Sequence, residues 1–129
     1  MIVKQLKLSQ QEKERLIRLK AKTGISQWNV LCRYALCWSL DNPAIPMGPE
    51  ILSDSNVEMS WHTFGGECHE IYEAIIRLRC QEDGYDKDQA TIVRHFRLHL
   101  NRGINYLASK NGPKNRQELL ALALPQKWS

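Results

Sequence analysis

Apolar and polar residues alternate over the first eight positions of the chain, and from there on they recur at helical spacing. Two sets of side chains project from opposite sides of the first segment, namely Ile2, Lys4, Leu6 and Leu8 from one side and Val3, Gln5 and Lys7 from the other. This alternation predicts one short strand over residues 2–8. A lone strand cannot satisfy its own backbone hydrogen bonds, so we expect it to pair with the same strand of a second chain.

The next segment carries the signals that begin and end a helix. Ser9 can accept a hydrogen bond from the amide of Glu12 while the Glu12 side chain reaches back, and this capping box predicts a helix from Gln10. Gly24 is the expected left-handed stop of that helix. Its buried stripe is predicted to be Leu16, Leu19 and Thr23.

A second helix is predicted over residues 27–40, with Ser26 as its N-cap and Pro43 just beyond its end. Large apolar side chains recur in it at intervals of three and four, which is typical of a core-facing stripe, and these are Trp28, Leu31, Tyr34, Ala35 and Trp38. Residues 2–40 thus have the pattern of a ribbon-helix-helix protein, a class in which a two-stranded ribbon enters the major groove of DNA.

By that analogy the outward side chains of the strand would face DNA, and these are Val3, Gln5 and Lys7. The alternative is that Lys4 and Lys7 are charges that protect a sheet edge from aggregation. The strand is short, and its pattern leaves both interpretations open.

The middle of the chain is predicted to contain a loop, a strand and a helix. Residues 41–56 are rich in proline and glycine and should form an ordered loop or linker, while alternation over residues 57–64 predicts a strand that ends at Gly65. A helix over residues 67–81 follows. Its apolar stripe is predicted to be Ile71, Ala74, Ile75 and Leu78.

The carboxy-terminal part is predicted to be helical. A turn over residues 81–88 ends at Asp86 or Asp88, either of which can cap a helix that runs to about Leu107, and a short last helix covers residues 117–124. The apolar stripe of the long helix is Ile92, Phe96, His99 or Leu100, Ile104 and Leu107. The 129 residues are therefore expected to form one mainly α domain, with a ribbon-helix-helix-like part over 1–40, a linker with a short strand over 41–66 and a helical part over 67–129.

Charge is segregated along this chain. Residues 1–40 hold eight Lys or Arg against two Glu (+6), residues 41–90 hold three against eleven acids (−8), and residues 91–129 hold seven against one (+6), which together give +4. Concentrated cations typically face a polyanion, although a solvated helix face can give the same count. A basic turn with Lys110, Lys114 and Arg116 is open to the same two interpretations.

The first helix is the strongest candidate for contacts with phosphates. Arg15, Arg18 and Lys22 recur at intervals of three and four and share one outer face, flanked by Lys13 and Lys20. Lys and Arg that neutralise successive phosphates provide sequence-independent binding to DNA. We therefore expect the DNA-binding residues to be Lys4, Lys7, Lys13, Arg15, Arg18, Lys20 and Lys22.

Signals of catalysis and of metal or cofactor binding are weak in this sequence. The chain has no glycine-rich phosphate loop, GxSxG elbow or zinc ribbon, so we expect no enzyme active site and no cofactor. His95 and His99 lie one helical turn apart, which suits a metal, but no HExxH motif or acid at ligand spacing accompanies them, so no metal site is expected.

The cysteines have no CxxC spacing and are interpreted as structural thiols, and they are Cys32, Cys37, Cys68 and Cys80. No apolar run approaches the roughly 20 residues of a membrane span and the start lacks a signal-peptide core, so we expect a cytoplasmic protein.

Five stretches, in their order and spacing, resemble the DndE family of bacterial DNA sulfur modification proteins. They are the opening strand with Leu8-Ser9, the turn Thr23-Gly24-Ile25, residues 61–67 (WHTFGGE), residues 79–84 (RCQEDG) and residues 99–107 (HLNRGINYL). The resemblance covers nearly the full length. It implies a role in phosphorothioation, the replacement of a non-bridging phosphate oxygen of DNA by sulfur. Partner proteins of the system would supply the sulfur and the nucleotide-driven chemistry, and this family would be a small DNA-binding, oligomeric accessory component.

Residues and resemblance together favour a homo-oligomer, dimer or tetramer, that grips the backbone of double-stranded DNA for other proteins of the system. A finer hypothesis is a preference for nicked or distorted duplex, since chemical modification of the DNA backbone passes through an opened strand. Two alternatives remain, an autonomous ribbon-helix-helix transcriptional repressor and a thiol sulfur carrier in which Cys68 or Cys80 takes a persulfide.

Overall fold

A short antiparallel sheet joins the amino terminus to the middle of the chain in the computed structural model, which describes residues 1–122. Strand β1 (Gln5–Lys7) pairs with strand β2 (Glu58–Ser60), with Leu6 opposite Met59. The expectation that this strand pairs with its copy in a second chain is therefore wrong. The backbone groups of β1 are satisfied within the chain, because the linker folds back and brings β2 alongside.

Helices make up most of the remaining structure, as predicted. In chain order they are α1 (Gln10–Thr23), α2 (Trp28–Asp41), α3 (Trp61–Gly65), a 3-10 turn (Gly66–Cys68), α4 (His69–Glu82), α5 (Gln89–Leu107) and α6 (Arg116–Leu122). The last predicted helix thus begins one residue earlier than expected, and residues 123–124 lie outside the described part of the chain. No helix within residues 1–122 is long and apolar enough to cross a membrane.

Local capping signals correctly located the ends of α1 and the start of α5. The Ser9 side chain accepts from the amide of Glu12 and the Glu12 carboxylate accepts from the amide of Ser9, at 3.0 and 2.8 Å. Gly24 adopts a φ of 72° at the end of α1, a conformation that favours glycine. Asp88 caps α5 by accepting from the amide of Thr91 at 3.0 Å.

Two other predicted boundaries are wrong by a few residues. The N-cap of α2 is Gln27, which makes no side-chain cap, so Ser26 does not begin that helix. The strand predicted over residues 57–64 ends at Ser60, because the Ser60 side chain accepts from the amide of Thr63 at 3.1 Å and begins α3.

The core is centred on α5, which packs against α2. The predicted stripe of α5 is buried, comprising Ile92, Phe96, His99, Leu100, Ile104 and Leu107. A Cβ at Gly103 would lie 1.9 Å from the Ala35 carbonyl oxygen, so only glycine permits this approach of the two helices. Trp61, Phe64 and Phe96 fill the centre, with ring centroids 5.3, 5.6 and 5.8 Å apart.

The stripe predicted for α2 is buried only in part. Leu31 and Ala35 are in the core, as expected, whereas the three aromatic side chains Trp28, Tyr34 and Trp38 are half-buried at its edge. The Trp38 ring stacks on Tyr106 with centroids 4.0 Å apart. These rings therefore close the side of the core rather than fill it.

Helix α4 presents the opposite face to the one predicted. The expected stripe of Ile71, Ala74, Ile75 and Leu78 is exposed, while Ile76, Arg79 and Cys80 are buried. Arg79 decides this rotation, because its guanidinium donates to Asp83 and to the backbone carbonyls of residues 40, 42 and 44 at 2.8–3.0 Å. A buried arginine requires such partners, and α4 turns inward the side on which they lie.

Candidate nucleic-acid interface

The outer face of α1 carries the predicted cations because its other face is buried. Leu16, Leu19 and Thr23 are all in the core, as predicted. Arg18, on the opposite side, is exposed, while Arg15 and Lys22 are half-buried along the same face. This places three positive charges on consecutive turns of a 14-residue helix.

The two flanking lysines of α1 are held by neighbouring groups. Lys13 Nζ donates to Asn56 Oδ1 at 2.7 Å. Lys20 Nζ lies 3.3 Å from the centroid of the Trp28 ring, a cation–π contact, and partial burial lowers the pKa of Lys20. The half-buried indole of Trp28 is thereby part of the same surface as the lysine.

The two lysines near the amino terminus lie apart from the helix cations, Lys4 just before β1 and Lys7 within it. Lys4 and Lys7 are exposed, and Lys7 is directly opposite Glu58 in the register of the sheet. An acid at the opposing position attracts the lysine and reduces the local positive potential. Of the side chains predicted to face DNA, Gln5 and Lys7 are exposed and Val3 is half-buried.

None of the seven predicted cations has a carboxylate within 4.0 Å among residues 1–122. The arginines that form salt bridges in this part of the chain lie elsewhere, where Arg77 pairs with Glu73, Arg79 with Asp83 and Arg97 with Glu12. The positive charge of α1 is therefore not cancelled by direct ion pairs in the described structure.

The basic turn near the carboxy terminus lies against the end of α1. Arg116 Nε donates to the Thr23 carbonyl at 3.0 Å, and Lys22 Nζ donates to the Ser109 carbonyl at 3.5 Å. Lys110 and Lys114 are exposed on this turn. Cations from both basic ends of the sequence thus meet, and we use the term basic surface for Arg15, Arg18, Lys20, Lys22, Lys110 and Lys114.

The three arginines of α5 bind the backbone of the protein itself. Arg94 donates to the Gly48 carbonyl at 3.0 Å, Arg97 to the Lys7 carbonyl at 2.8 Å and Arg102 to the Ala44 carbonyl at 2.7 Å. All three arginines hold loops. Arg97 is buried and Arg102 is half-buried, so the +6 count overstates how basic the surface of that block is, whereas Arg94 is exposed.

A buried ion pair, which the sequence reasoning missed, positions α1. Glu12 is fully buried and accepts from Arg97 Nη2 at 2.9 Å and from Asn101 Nδ2 at 3.2 Å. The capping box already explained why a glutamate occurs at position 12. Nothing in the local pattern therefore indicated that Glu12 also pairs with Arg97, 85 residues away. This pair fixes the amino-terminal end of α1 on α5.

The four cysteines, all within the described range, are free thiols. Cys32 and Cys80 are buried, as expected of structural thiols. Burial raises the pKa of the Cys80 thiol, and it raises the pKa of the Cys32 thiol to about 12. Cys37 and Cys68 are exposed. A thiol with a raised pKa is a poor nucleophile, so Cys80 is a weak candidate for sulfur transfer.

Comparison with solved structures identifies related folds. The crystal structure of DndE from Escherichia coli B7A, involved in DNA phosphorothioation modification, has a TM-score of 0.69 and 23% identity, covering 83% of this chain and 98% of that one. A glycine-to-lysine mutant of DndE involved in DNA phosphorothioation has a TM-score of 0.64 and 21% identity, covering 81% of this chain and 96% of that one. At these identities the likeness concerns the fold.

Comparison with protein families identifies the group to which the chain is related. No curated protein matches it. A family model described as DNA sulphur modification protein DndE, however, matches residues 5–115. Because this match spans most of the 129 residues, as the resemblance in the sequence had predicted, the chain belongs to the DndE family of DNA sulphur modification proteins.

Proposed function

We propose that this protein is a DNA-binding accessory component of the DNA phosphorothioation system, which grips the backbone of double-stranded DNA for partner enzymes. Membership of the DndE family supports the link to sulphur modification. The observation that carries the DNA-binding part is the outward row of Arg15, Arg18 and Lys22, which has no carboxylate partner in the described chain. Its role is binding, and other proteins of the system supply the sulfur and the nucleotide-driven chemistry.

Phosphates are the proposed ligands of the basic surface, rather than base edges. A lysine or arginine binds a phosphate through its positive charge and needs only a side chain long enough to reach it. Such contacts are the same for every DNA sequence. Trp28 adds an aromatic face beside Lys20, and Lys110 and Lys114 extend the row past the end of α1. Lys13 on α1, and Lys4 and Lys7 apart from the basic surface, provide further contacts.

A matched pair of double variants tests the assignment. Arg15→Ala/Arg18→Ala removes two charges from the basic surface, and Lys87→Ala/Arg94→Ala removes two exposed charges elsewhere. The log of the DNA affinity falls with the log of the salt concentration by about 0.9 per phosphate contact, so we expect the first variant to lower this slope by about 1.8. The second should leave it unchanged. Equal losses in both variants, or none in either, would exclude the assignment.

A preference for nicked or distorted duplex is the finer part of the proposal. A nick lets the duplex bend at low cost, and a bend permits extra contacts with the protein. Binding of the same duplex with and without one nick, measured at one salt concentration, tests this part alone. Equal affinities would remove the nick preference and leave the backbone proposal intact.

We further propose that the functional form is a homo-oligomer, assembled through the exposed stripe of α4. Ile71 is 58% and Leu78 is 55% exposed, which is a large apolar exposure for one helix face. Two copies of α4 packed antiparallel would bury both stripes and bring Glu70 of one chain near Arg77 of the other. Such a contact is self-complementary, as a two-fold dimer requires.

The mass of the protein in solution tests this assembly. Ile71→Glu/Leu78→Glu places two charges in the stripe and should yield monomers by light scattering. Met47→Glu, at an apolar side chain that is 84% exposed on the loop after α2, serves as the control and should retain the oligomer. A wild-type protein that is monomeric at all concentrations would contradict the proposal.

Neither alternative gains support from a specific contact. The repressor interpretation relied on a ribbon made by two chains, and β1 pairs within its own chain. A repressor would bind one operator about 10³-fold or more above random DNA. In the sulfur-carrier interpretation Cys68 is the remaining candidate thiol, because burial makes Cys80 a weak one. Full DNA modification in cells carrying Cys68→Ser would exclude Cys68 as the carrier.

A further inference from the structure

Three side chains with metal-binding atoms meet where the end of α4 lies against α5. Asp83 is the C-cap of α4, and His95 and His99 lie one turn apart on α5. Each offers one ligand atom, and these atoms lie within 4.8 Å of one another. The side chains of Asp83 and His95 are 8% and 2% exposed, and the whole residue His99 is 1% exposed, while Asp83 as a residue is half-buried. The spacing of residues in the sequence indicated no acidic ligand beside the two histidines, and the end of α4 supplies one, Asp83.

An unpaired nitrogen is the second observation at this cluster. His99 Nδ1 lies 2.7 Å from Ser39 Oγ, which also accepts from Arg102 Nε at 2.8 Å. In the tautomer whose Nδ1–H donates to this oxygen, His99 keeps its lone pair on Nε2. Within residues 1–122 this buried Nε2 has no hydrogen-bond partner. A buried polar atom without a partner is costly, and coordination of a metal would satisfy it.

The surroundings resemble those of metal-binding histidines in general. A ligating imidazole is normally oriented by a hydrogen bond to its other nitrogen, and Ser39 provides that bond here. His95 Nε2 donates to Asp83 Oδ2 at 2.9 Å, so these two atoms are adjacent and a metal bound by both would replace the shared proton.

The ligand set indicates the class of metal. Two imidazole nitrogens and one carboxylate oxygen suit Zn²⁺, Co²⁺ and Fe²⁺, whereas Ca²⁺ and Mg²⁺ take oxygen ligands. Arg79 and Arg102 lie beside the cluster and repel any cation, so binding must rest on direct coordination by nitrogen. This repulsion also disfavours the hard cations.

We propose that Asp83, His95 and His99 form a binding site for one divalent transition metal ion, which fastens the end of α4 to α5. A surface depression lined by Leu40, Pro43 and Arg79 reaches Asp83, so an ion would approach from the Asp83 side. The site lies outside the basic surface, and its occupancy does not depend on the DNA-binding proposal.

Titration of the chelator-treated, full-length protein with Co²⁺ tests this site directly. Bound to nitrogen ligands at a site of low coordination number, Co²⁺ absorbs visible light, and we expect these bands to saturate at one equivalent and to vanish when Zn²⁺ is added. His99→Gln and Asp83→Asn should each abolish them. His62→Ala is the control, because the rings of exposed His62 and half-buried His69, with centroids 4.1 Å apart, are a second pair that could bind metal at the surface. It should retain the bands.

The proposal fails if the wild-type protein shows no Co²⁺ bands, or if the bands survive His99→Gln and Asp83→Asn or disappear in His62→Ala. Circular dichroism establishes that each variant is folded. Proton NMR of the wild-type protein provides a measurement that needs no variant. Paramagnetic Co²⁺ at the site should shift the imidazole resonances of His95 and His99, and shifts confined to His62 and His69 would overturn the assignment.

Discussion

Replacing Arg97 by methionine breaks the buried ion pair that positions α1. Methionine keeps much of the length of the side chain but removes its charge and donors. In the native protein Arg97 Nη2 donates to Glu12 Oε1 at 2.9 Å, and the Glu12 side chain has no exposed surface. Arg97 also donates to the Lys7 carbonyl and to Ser53 Oγ, at 2.8 and 3.1 Å. The substitution therefore leaves a buried carboxylate without its countercharge.

The expected cost follows from this geometry. Removing one partner of a buried pair typically costs about 3–5 kcal/mol, most of it the penalty of an uncompensated buried charge. The amide of Ser9 and the side chain of Asn101 still donate to Glu12, at 2.8 and 3.2 Å, and reduce that penalty. The hydrogen bonds that Arg97 makes to neutral acceptors contribute about 1 kcal/mol each. We therefore expect Arg97→Met to lower the free energy of unfolding by about 3 kcal/mol or more.

Urea unfolding followed by circular dichroism, at one protein concentration, measures this change. Arg94→Met is the matched control, because Arg94 is exposed and makes a single hydrogen bond, to the Gly48 carbonyl at 3.0 Å. It should cost no more than about 1 kcal/mol. The double variant Glu12→Gln/Arg97→Met should lose less than the sum of its two single variants, since it leaves no unpaired charge.

A loss of less than about 1 kcal/mol in Arg97→Met would contradict the cost expected for a buried ion pair. That result would mean that water reaches Glu12 in the variant, or that the pair is not buried in solution. The basic surface would then have to be positioned by the core contacts of Leu16 and Leu19 alone.

Three further predictions follow from the core, the histidines and the thiols. Gly103→Ala should lower stability by about 1–3 kcal/mol or more, measured by urea unfolding, because its Cβ would meet the Ala35 carbonyl oxygen at 1.9 Å and push α2 from α5. Since the pKa of His99 is lowered from 6.5 to about 3, the unfolded chain binds the extra proton, and stability should fall by up to about 1.4 kcal/mol per unit as pH drops from 6.5 towards 3. His99→Gln should flatten that dependence. In thiol labelling of the native protein, exposed Cys68 should react first and Cys32, whose pKa burial raises to about 12, last.

Features encoded within a few residues were predictable from the sequence. The Ser9–Glu12 capping box, the glycine stop at Gly24 and the Asp88 cap each depend on groups three or four positions apart, and each occurs where it was predicted. The stripe of α5 was also predictable, because a 19-residue helix in the centre of the core must be apolar along one side.

Features set by distant residues were not predictable. Strand β1 pairs with a segment more than 50 residues away, and nothing in residues 2–8 distinguishes that partner from a second copy. Helix α4 has an apolar stripe and a face with Arg79, and periodicity alone favours burying the stripe. The carbonyls of residues 40, 42 and 44, which receive the Arg79 guanidinium, determine the opposite outcome.

The same distinction applies to the candidate sites. The cations of α1 could be assigned to one face from their spacing, because helix geometry is local. That Lys110 and Lys114 join them depends on the contact between Arg116 and the end of α1. The pairing of His95 with Asp83 depends on how α4 packs on α5, so the metal-ligand set was visible only in three dimensions.

A salt-titrated gel shift of the wild-type protein tests the proposed DNA binding with three probes, namely random intact duplex, the same duplex with one nick, and single strand. We expect binding to random duplex with a steep salt dependence, the log affinity falling by about 0.9 per phosphate neutralised. No shift on any probe at low salt would contradict it, because the basic surface would then be an ordinary solvated face.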